Sequence, residues 1–295
     1  MTEKQPLRYA YYPGCSLHST AREYDLSMKV VARAVGVELV EIPDWNCCGA
    51  SSAHMTDPFL GFALPGRVLA LAEEMGLDVV APCAACYGRL AAAREEAARH
   101  PDYVRRLEKA TGRRLSGSSR AWNVLEWLCQ ERVSAAVREA LKRPLQGLAV
   151  APYYGCLLVR PPKVTRFDDP ERPVTMDRIL ETIGAAPVDF AFKTECCGAS
   201  LGISRTDLVS ELTGRILAAA ADAGAEAVAV ACPLCQTNLD SRQEAAGLRQ
   251  GRTFDLPVYY ITQLVGLALG ASARELGLGR HLVDAMSLLR EKKLA

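Results

Sequence analysis

The sequence has almost no excess of charge of one sign, with 35 Lys and Arg against 34 Asp and Glu. A nucleic-acid-binding protein normally shows a basic excess or a basic stripe, and neither is found. An apolar run long enough to span a membrane is also missing, because the longest uncharged stretch, near LPVYYITQLVGLALGASA, contains Thr, Gln and two Tyr. We therefore expect no nucleic-acid partner and no direct membrane span, and we interpret that stretch as a buried strand and helix.

Three further motifs are missing from the sequence. The first residues, MTEKQPLRYA, lack the apolar core of a signal peptide, so we expect a cytoplasmic protein. The sequence has no C-x2-C-x2-C-x3-C-P run, which is typical of ordinary ferredoxin clusters. It also has no G-x-G-x-x-G after a strand, so a bound flavin or nicotinamide nucleotide is not indicated.

Cysteine, by contrast, is abundant, with 11 residues in the chain. A disulfide framework is not expected in a reducing compartment, where clustered cysteines more often hold a metal or perform redox chemistry. Ten of them form two copies of one pattern. The N-terminal cysteine set comprises Cys15, Cys47, Cys48, Cys83 and Cys86; the C-terminal cysteine set comprises Cys156, Cys196, Cys197, Cys232 and Cys235.

The spacing within the two sets indicates an internal duplication. In both, 34 residues separate the vicinal pair from the following Cys-x-x-Cys, whereas the leading gaps are 31 and 39 residues. The flanks also correspond, since YYPGC matches YYGC and VVAPCAAC matches VAVACPLC. Charge, Pro and Gly meet in LKRPLQG at residues 141–147, so we predict two domains, residues 1–144 and 145–295.

Each half shows the pattern of an α/β domain. The segments LRYAYYPGC, VELVEIPDWNCC and LDVVAPC are strand-like, as are LAVAPYYGC, PVDFAFKTECC and AEAVAVAC. Helical stretches that end at Gly lie between them, for example REYDLSMKVVARAVG and SRTDLVSELTGRILAAAADAG. This β-α-β-α-β order predicts a small parallel sheet flanked by helices in each half, a Rossmann-like arrangement repeated in tandem.

The cysteines are predicted to converge, because each follows the carboxyl end of a strand, where ligands bind in open α/β sheets. Glycines adjoin them and permit tight turns that bring backbone N–H groups to an anionic sulfur site: Gly14, Gly49, Gly155 and Gly198. Helices that begin just after Cys15, Cys86 and Cys156 would direct their positive ends at the same place.

Three kinds of site are compatible with five thiols. An iron–sulfur cubane needs four thiolates, so the fifth is either spare or bridges two irons in an unusual cluster. Zinc also takes four sulfurs and leaves one over. The third alternative is thiol–disulfide chemistry without a metal. Use of the fifth cysteine in both copies favours the cluster. The eleventh cysteine, Cys129, lies outside the pattern and is interpreted as a small buried apolar residue.

The double pattern resembles the CCG domain, and two copies in about 300 residues are similar to the B subunit of heterodisulfide reductase and its bacterial relatives. The motifs YYPGCS, CCGA, PCAACYG, CPLCQTNLD and PVYYITQLVGLALG carry this resemblance. It implies that each cysteine set holds one noncubane [4Fe–4S] cluster. It also implies an oxidoreductase subunit that is active only with partners: a ferredoxin-like C subunit that supplies electrons and a flavin-containing A subunit upstream.

The implied reaction is cleavage or formation of a small disulfide, or a related sulfur substrate, between the two clusters at the domain interface. His18, His54 and Tyr87 are near enough to the cysteines in sequence to be proton donors. Arg89 and Lys193 are candidates to offset the negative charge of the clusters. The alternative function is electron relay without chemistry, in a type E succinate or fumarate oxidoreductase.

Overall fold

The computed structural model describes residues 6–50 and 52–294, which form two α/β halves of the same topology. The strands of the N-terminal half are β1 (Leu7–Tyr11), β2 (Val37–Glu41), β3 (Val79–Val80) and β4 (Ala121–Trp122). The strands of the C-terminal half are β5 (Ala149–Tyr153), β6 (Ala186–Pro187), β7 (Ala227–Val230) and β8 (Val258–Tyr260). All pairs are parallel, in the orders β2-β1-β3-β4 and β6-β5-β7-β8, so the predicted duplicated α/β fold is confirmed.

Helices connect the strands of each half. In the N-terminal half they are α1 (Gly14–His18), α2 (Arg22–Ala34), α3 (Ala53–Thr56), α4 (Pro58–Glu74), α5 (Ala84–Arg99), α6 (Pro101–Thr111), α7 (Val124–Leu128) and α8 (Glu131–Glu139). In the C-terminal half they are α9 (Pro162–Thr165), α10 (Thr175–Thr182), α11 (Thr206–Asp222), α12 (Pro233–Ser241), α13 (Gln243–Gln250), α14 (Ile261–Ala268) and α15 (Ala285–Glu291). Short 3-10 helices span Ala199–Leu201 and Leu278–Arg280.

The two halves share a core formed largely by α2 and α14. In α2 the buried residues Tyr24, Met28, Val31 and Ala32 follow helical spacing and form one apolar face. Every residue of α14 is buried, as expected for a helix covered on all sides. These helices pack together across the halves, and α7 packs on α10 in the corresponding way.

The structure corrects the sequence prediction in the C-terminal half. The segment PVDFAFKTECC was expected to be a strand, but β6 ends at Pro187, and Phe192 adopts a left-handed φ of 72° that no strand allows. A helix was expected just after Cys156, but the chain turns there and α9 begins only at Pro162. The Pro161–Pro162 pair explains this delay, because a residue before proline is disfavoured in a helix.

Each half also contains a fourth strand, of which β4 was not predicted from the sequence. The stretch around β8 was correctly interpreted as a buried strand and helix, since Tyr260 ends β8 and α14 begins at the next residue. The predicted boundary at residues 141–147 lies between α8 and β5 and stays a prediction. The amides of Lys142 and Arg143 in this linker both donate to the carbonyl of Ala268.

Candidate thiol site at the junction of the two halves

Each cysteine set lies at the carboxyl edge of its own sheet. Cys15 follows β1, the vicinal pair follows β2, and the Cys-x-x-Cys follows β3; the same order holds after β5, β6 and β7. In each set the second vicinal cysteine and both members of the Cys-x-x-Cys are buried: Cys48, Cys83, Cys86, Cys197, Cys232 and Cys235. The remaining cysteines of the sets reach the surface, since Cys15, Cys47 and Cys196 are exposed and Cys156 is partly buried. Each set therefore has a buried inner side and an open outer side.

Corresponding thiols pair within each set. The Sγ atoms of Cys48 and Cys86 are 3.3 Å apart, and those of Cys197 and Cys235 are 3.7 Å apart. The hydrogen bond with Cys86 lowers the pKa of Cys48 to about 7, and the nearby guanidinium of Arg89 acts in the same direction. Sharing these hydrogen bonds raises the pKa of Cys86 and of Cys235. The Cys48–Cys86 pair thus combines one thiol with one partner that accepts from it.

The outer thiols differ between the halves. In the C-terminal set the hydrogen bond with Cys156 lowers the pKa of Cys196 to about 6, and the amides of Gly198 and Ala199 add to this effect. In the N-terminal set burial raises the pKa of Cys47, although the Gly49 amide donates to its sulfur at 3.4 Å. The same motif therefore produces two electrostatic environments.

The two sets meet at one point, which we call the junction: the contact between Cys83 and Cys232. A side-chain hydrogen bond with Cys232 is the largest cause of the raised pKa of Cys83. The pKa of Cys232 is lowered by hydrogen bonds from Cys235 and from Cys83. Two thiol groups that lie 149 residues apart in the chain are thereby brought into one buried centre.

Glycine is required at the cysteine turns, as the sequence predicted. Gly14 and Gly155 have φ values of +65° and +64°, which L-residues with a side chain rarely adopt. A Cβ atom at Gly14 would lie 3.0 Å from Cys86 Sγ, and one at Gly155 would lie 3.0 Å from Cys235 Sγ. The backbone therefore leaves room for sulfur, or for an inorganic group bound to it, at the same place in both halves.

Two buried tyrosines hold the loops that carry the vicinal cysteines. Tyr12 donates to the carbonyl of Asn46 at 2.8 Å, and Tyr153 donates to the carbonyl of Glu195 at 2.6 Å, each directly before a cysteine pair. Burial and the neighbouring cysteines raise the pKa of both tyrosines, so both remain hydrogen-bond donors. The sequence analysis missed this role, although the doubled tyrosine before each first cysteine was a visible signal.

Residues six positions after Cys83 and Cys232 support the second vicinal cysteine of each half. In the N-terminal half this residue is Arg89, whose charge lowers the pKa of Cys48. In the C-terminal half it is Asn238, which donates to the carbonyl of Cys197 at 3.1 Å and approaches its sulfur at 3.6 Å.

Lys193 is engaged elsewhere, although it was a candidate to offset the charge of a cluster. Its Nζ atom lies 2.7 Å from Asp177 and 3.3 Å from Asp189. These carboxylates, rather than a cysteine, compensate its charge.

The candidate proton donors lie near the cysteines in sequence, but their described hydrogen bonds involve other groups. His18 Nε2 is 3.1 Å from Glu41, and its ring lies edge-on to Trp45. His54 Nε2 accepts from Arg89 at 3.1 Å, which leaves no proton on that nitrogen to give.

Tyr87 is buried, and its hydroxyl donates to the carbonyl of Thr165 in the other half at 2.8 Å. Burial also raises its pKa, which makes the hydroxyl a weaker acid. Its contact therefore joins the two halves, and the role of proton donor stays a prediction for all three residues.

Cys129 is not the buried apolar residue that the sequence suggested. It ends α7 and is exposed, and it lines a cavity of about 170 Å³ between α7, α8 and α10. It takes part in neither cysteine set.

Fold and site together define a duplicated α/β protein with two cysteine-rich sites that share a buried junction. A family model described as the CCG cysteine-rich domain matches residues 9–91 and 150–240, the segments that carry the two sets. The chain belongs to this CCG family.

Full-length relatives fall into two groups. The chain is 35% identical over 95% of its length to the 8-methylmenaquinol:fumarate reductase membrane anchor subunit of Wolinella succinogenes, covering 98% of that protein. It is 30% identical over 96% of its length to the B subunit of the ferredoxin/F420H2-dependent CoB-CoM heterodisulfide reductase of Methanosarcina acetivorans, also covering 96% of that protein. The described part of this chain contains no helix of the length and apolar character needed to cross a bilayer.

A solved structure supports the fold alone. The crystal structure of a hypothetical protein from Helicobacter pylori superimposes with a TM-score of 0.76 at 15% identity. The alignment covers 96% of this chain and 53% of that one, so the chain spans about half of the larger protein.

Proposed function

We propose that the chain is an iron–sulfur subunit of a heterodisulfide reductase-like complex, with one [4Fe–4S] cluster of the noncubane type on each cysteine set. The contact between Cys83 and Cys232 carries this proposal, because it would bring two redox centres together at the interface of the halves. When bound, the clusters would each supply one electron and an iron atom able to stabilise a thiolate as it forms.

The donor set fits such a group. All ten candidate ligands are sulfurs, and the backbone at Gly14 and Gly155 leaves space beside Cys86 and Cys235 where a side chain would intrude. Within residues 6–50 and 52–294, no three Cys, His, Asp or Glu side chains are arranged to hold a single metal ion. Five thiols per set are one more than a four-coordinate zinc site uses, and this donor count favours an iron–sulfur core over zinc.

The proposed reaction is cleavage of a small disulfide to two thiols, which consumes two electrons and two protons. Cys83 and Cys232 interact at the junction, whereas Cys15, Cys47 and Cys196 are exposed to solvent. Relatives named as the B subunit of a heterodisulfide reductase, at 30% identity over 96% of the chain, support this reaction class. Formation of a disulfide would be the same step in reverse.

Electrons have to be supplied by partners. We propose a ferredoxin-like C subunit as the direct donor and a flavin-containing A subunit upstream, in a complex located in the cytoplasm. The chain itself has no ferredoxin-type cysteine run and no dinucleotide fingerprint, so it requires such partners in order to be active.

A second candidate function is electron relay to a fumarate-reducing flavoprotein. The 35% identity to a fumarate reductase anchor subunit favours it, because this similarity covers both cysteine sets. In that case the junction would pass electrons between the clusters without cleaving a substrate bond.

Metal analysis tests the shared part of both proposals. Anaerobic purification is expected to give about eight irons and about eight labile sulfides per chain, four for each cluster. One zinc per chain without labile sulfide would contradict both.

The partners distinguish the two functions. A complex isolated under anaerobic conditions should contain a ferredoxin-like subunit and should oxidise reduced viologen only when a heterodisulfide is added. Copurification with a flavoprotein that reduces fumarate, together with no disulfide-dependent oxidation, would establish the relay instead.

A further inference from the structure

A groove of about 670 Å³ lies on the surface of the C-terminal half. It runs between α13, the loop that follows α13 and the segment that leads into α15. None of its lining residues belongs to either cysteine set, and the proposed function leaves it without a role. We call it the acidic groove, because Glu244, Asp255 and Asp284 line it.

Two leucines that line the acidic groove are largely exposed. Leu248 of α13 is 83% exposed, and Leu282, just before α15, is 75% exposed. Phe254 lines the groove beside them, although that residue is itself buried. Single exposed leucines are common on protein surfaces, but two that line one groove form the kind of apolar patch that marks an interaction site.

The fold holds both leucines at the surface. The carboxyl group of Asp240, which is 5% exposed, accepts hydrogen bonds from the amides of Leu282 at 2.8 Å and Val283 at 3.1 Å. Because a buried carboxyl group is costly without such bonds, they fix the backbone that presents Leu282. In α13, Gly247 is buried and the helix packs against α11, which leaves Leu248 on the outer face. The groove is therefore preformed.

The charges around the groove are negative and are not compensated by this chain. Glu244, Asp255 and Asp284 are exposed, and within residues 6–50 and 52–294 none of them forms an ion pair with a Lys, Arg or His side chain. Arg252 also lines the groove, but its guanidinium lies 2.7 Å from Asp222, which offsets its charge. An apolar surface with a negative rim complements a ligand that is apolar and positively charged.

We propose that the acidic groove docks an amphipathic segment of a partner protein, whose apolar side chains cover Leu248 and Leu282 and whose Lys or Arg side chains pair with the three carboxylates. Amphipathic segments commonly bind to apolar grooves in this way. The inference goes beyond the proposed function, because it depends on neither bound iron nor a particular reaction.

A second copy of this chain fits the groove less well. A symmetric dimer through this surface would place the same patch of both subunits face to face. The carboxylates of one rim would then lie against those of the other, and like charges across an interface are unfavourable. The occupant is therefore expected to be a basic segment of a different polypeptide.

Peptide binding to the full chain tests this charge and shape complementarity. Two synthetic amphipathic helical peptides share one leucine pattern, and their remaining positions carry Lys in one peptide and Glu in the other. Fluorescence anisotropy should show binding of the Lys peptide and none of the Glu peptide. The affinity for the Lys peptide should fall as salt is added, because ions screen exposed charges.

Variants locate the binding in the acidic groove. Leu248→Ser and Leu282→Ser should each weaken the Lys peptide roughly tenfold, since each removes one buried leucine contact. Glu244→Gln should weaken it less and reduce its salt dependence. The matched controls are Met55→Ser, at a residue of α3 that is 80% exposed, and Glu139→Gln, at an exposed residue of α8. Neither control should change the affinity.

Equal affinity for the two peptides, or unchanged binding in both leucine variants, overturns the proposal. Hydrogen exchange of the complex isolated under anaerobic conditions gives a second measurement, in which residues 243–255 and 281–286 should exchange more slowly than in the chain alone. Unchanged exchange there overturns it as well. Self-association that is lost in Leu248→Ser would identify a second copy as the occupant instead. Absence of iron contradicts only the proposed function, and far-UV circular dichroism checks that each variant is folded.

Discussion

At the scale of single residues, the site depends on glycines that leave room for sulfur. Gly14 and Gly36 have nearly the same φ, +65° and +67°, but a Cβ at Gly14 would meet Cys86 Sγ, whereas one at Gly36 would meet nothing within 4 Å. The two positions therefore separate the cost of backbone strain from the cost of crowding the thiol site.

We predict that Gly36→Ala lowers the free energy of unfolding by roughly 1–2 kcal/mol through left-handed strain alone. Gly14→Ala should cost at least as much and should also reduce the iron bound by about half, because only the N-terminal set is disturbed. Denaturant unfolding and iron analysis measure the two effects. Full iron content in Gly14→Ala would show that the space beside Cys86 is not needed.

The outer cysteines should differ in reactivity in the cluster-free protein, because only a thiolate is alkylated. With a pKa of about 6, Cys196 should react at a rate that levels off above about pH 7. The pKa of Cys47 is raised, so its rate should still increase at alkaline pH. Peptide mapping after iodoacetamide pulses checks this, and identical pH profiles for the two residues would contradict it.

The residue roles show where sequence reasoning reaches its limit. The cysteine sets and their glycines could be recognised from the sequence, because the vicinal pair and the Cys-x-x-Cys have the same separation in both halves. The doubled tyrosines were visible in the sequence, but the correspondence between their members was not, because YYPGC contains one more residue than YYGC. In the structure Tyr12 corresponds to Tyr153, and Tyr11 corresponds to Tyr154. The hydroxyls of Tyr11 and Tyr154 each donate a hydrogen bond to an aspartate on a following helix.

At the scale of elements, the contact between α2 and α14 holds the two halves together. The hydroxyls of Ser27 and Thr262 are 2.7 Å apart in this contact, and both residues are completely buried. The hydroxyl of Ser27 also donates to the carbonyl of Tyr24 at 3.0 Å, so it accepts from Thr262 in this contact.

Thr262→Val keeps the shape of the side chain and removes its hydroxyl. We predict that it lowers the free energy of unfolding by about 0.5–1.5 kcal/mol, the net contribution of one intramolecular hydrogen bond, because Ser27 keeps its bond to the carbonyl of Tyr24. Thr182→Val is the control, because the hydroxyl of Thr182 is exposed and bonds only within its own helix. Equal stability of the two variants would mean that the hydrogen bond between α2 and α14 contributes little.

The elements that were predicted correctly are the long ones. The helix α11 and the five-residue strands β1 and β5 have enough periodicity to be read from sequence. The fourth strand of the N-terminal half, β4, has two residues and is defined by pairing with β3 rather than by local pattern. The alternation in VDFAF indicated a strand, but the left-handed Phe192 turns that segment towards the C-terminal cysteines.

At the scale of the whole molecule, neither half is expected to be stable alone. Tyr24 and Ser27 of the first half and Tyr260 and Thr262 of the second are all buried at their contact. Separation would expose this apolar surface to water, which is unfavourable roughly in proportion to the area.

We predict that residues 1–144 and residues 145–295, produced separately, remain aggregated or lack a cooperative unfolding transition. Coexpression should restore a soluble heterodimer, detectable by size-exclusion chromatography. A single half that unfolds cooperatively by itself would show that the boundary separates two independent domains and that the shared core is dispensable.

The reciprocal packing of helices between the halves also bears on how such a molecule could arise. The face of α2 is covered by α14, and that of α10 by α7, so each half completes the other in the same way. A shorter polypeptide with one cysteine set could reach the same architecture only by forming a homodimer. Fusion into one polypeptide makes that association permanent and frees the two copies to diverge, as Arg89 and Asn238 at matching positions illustrate.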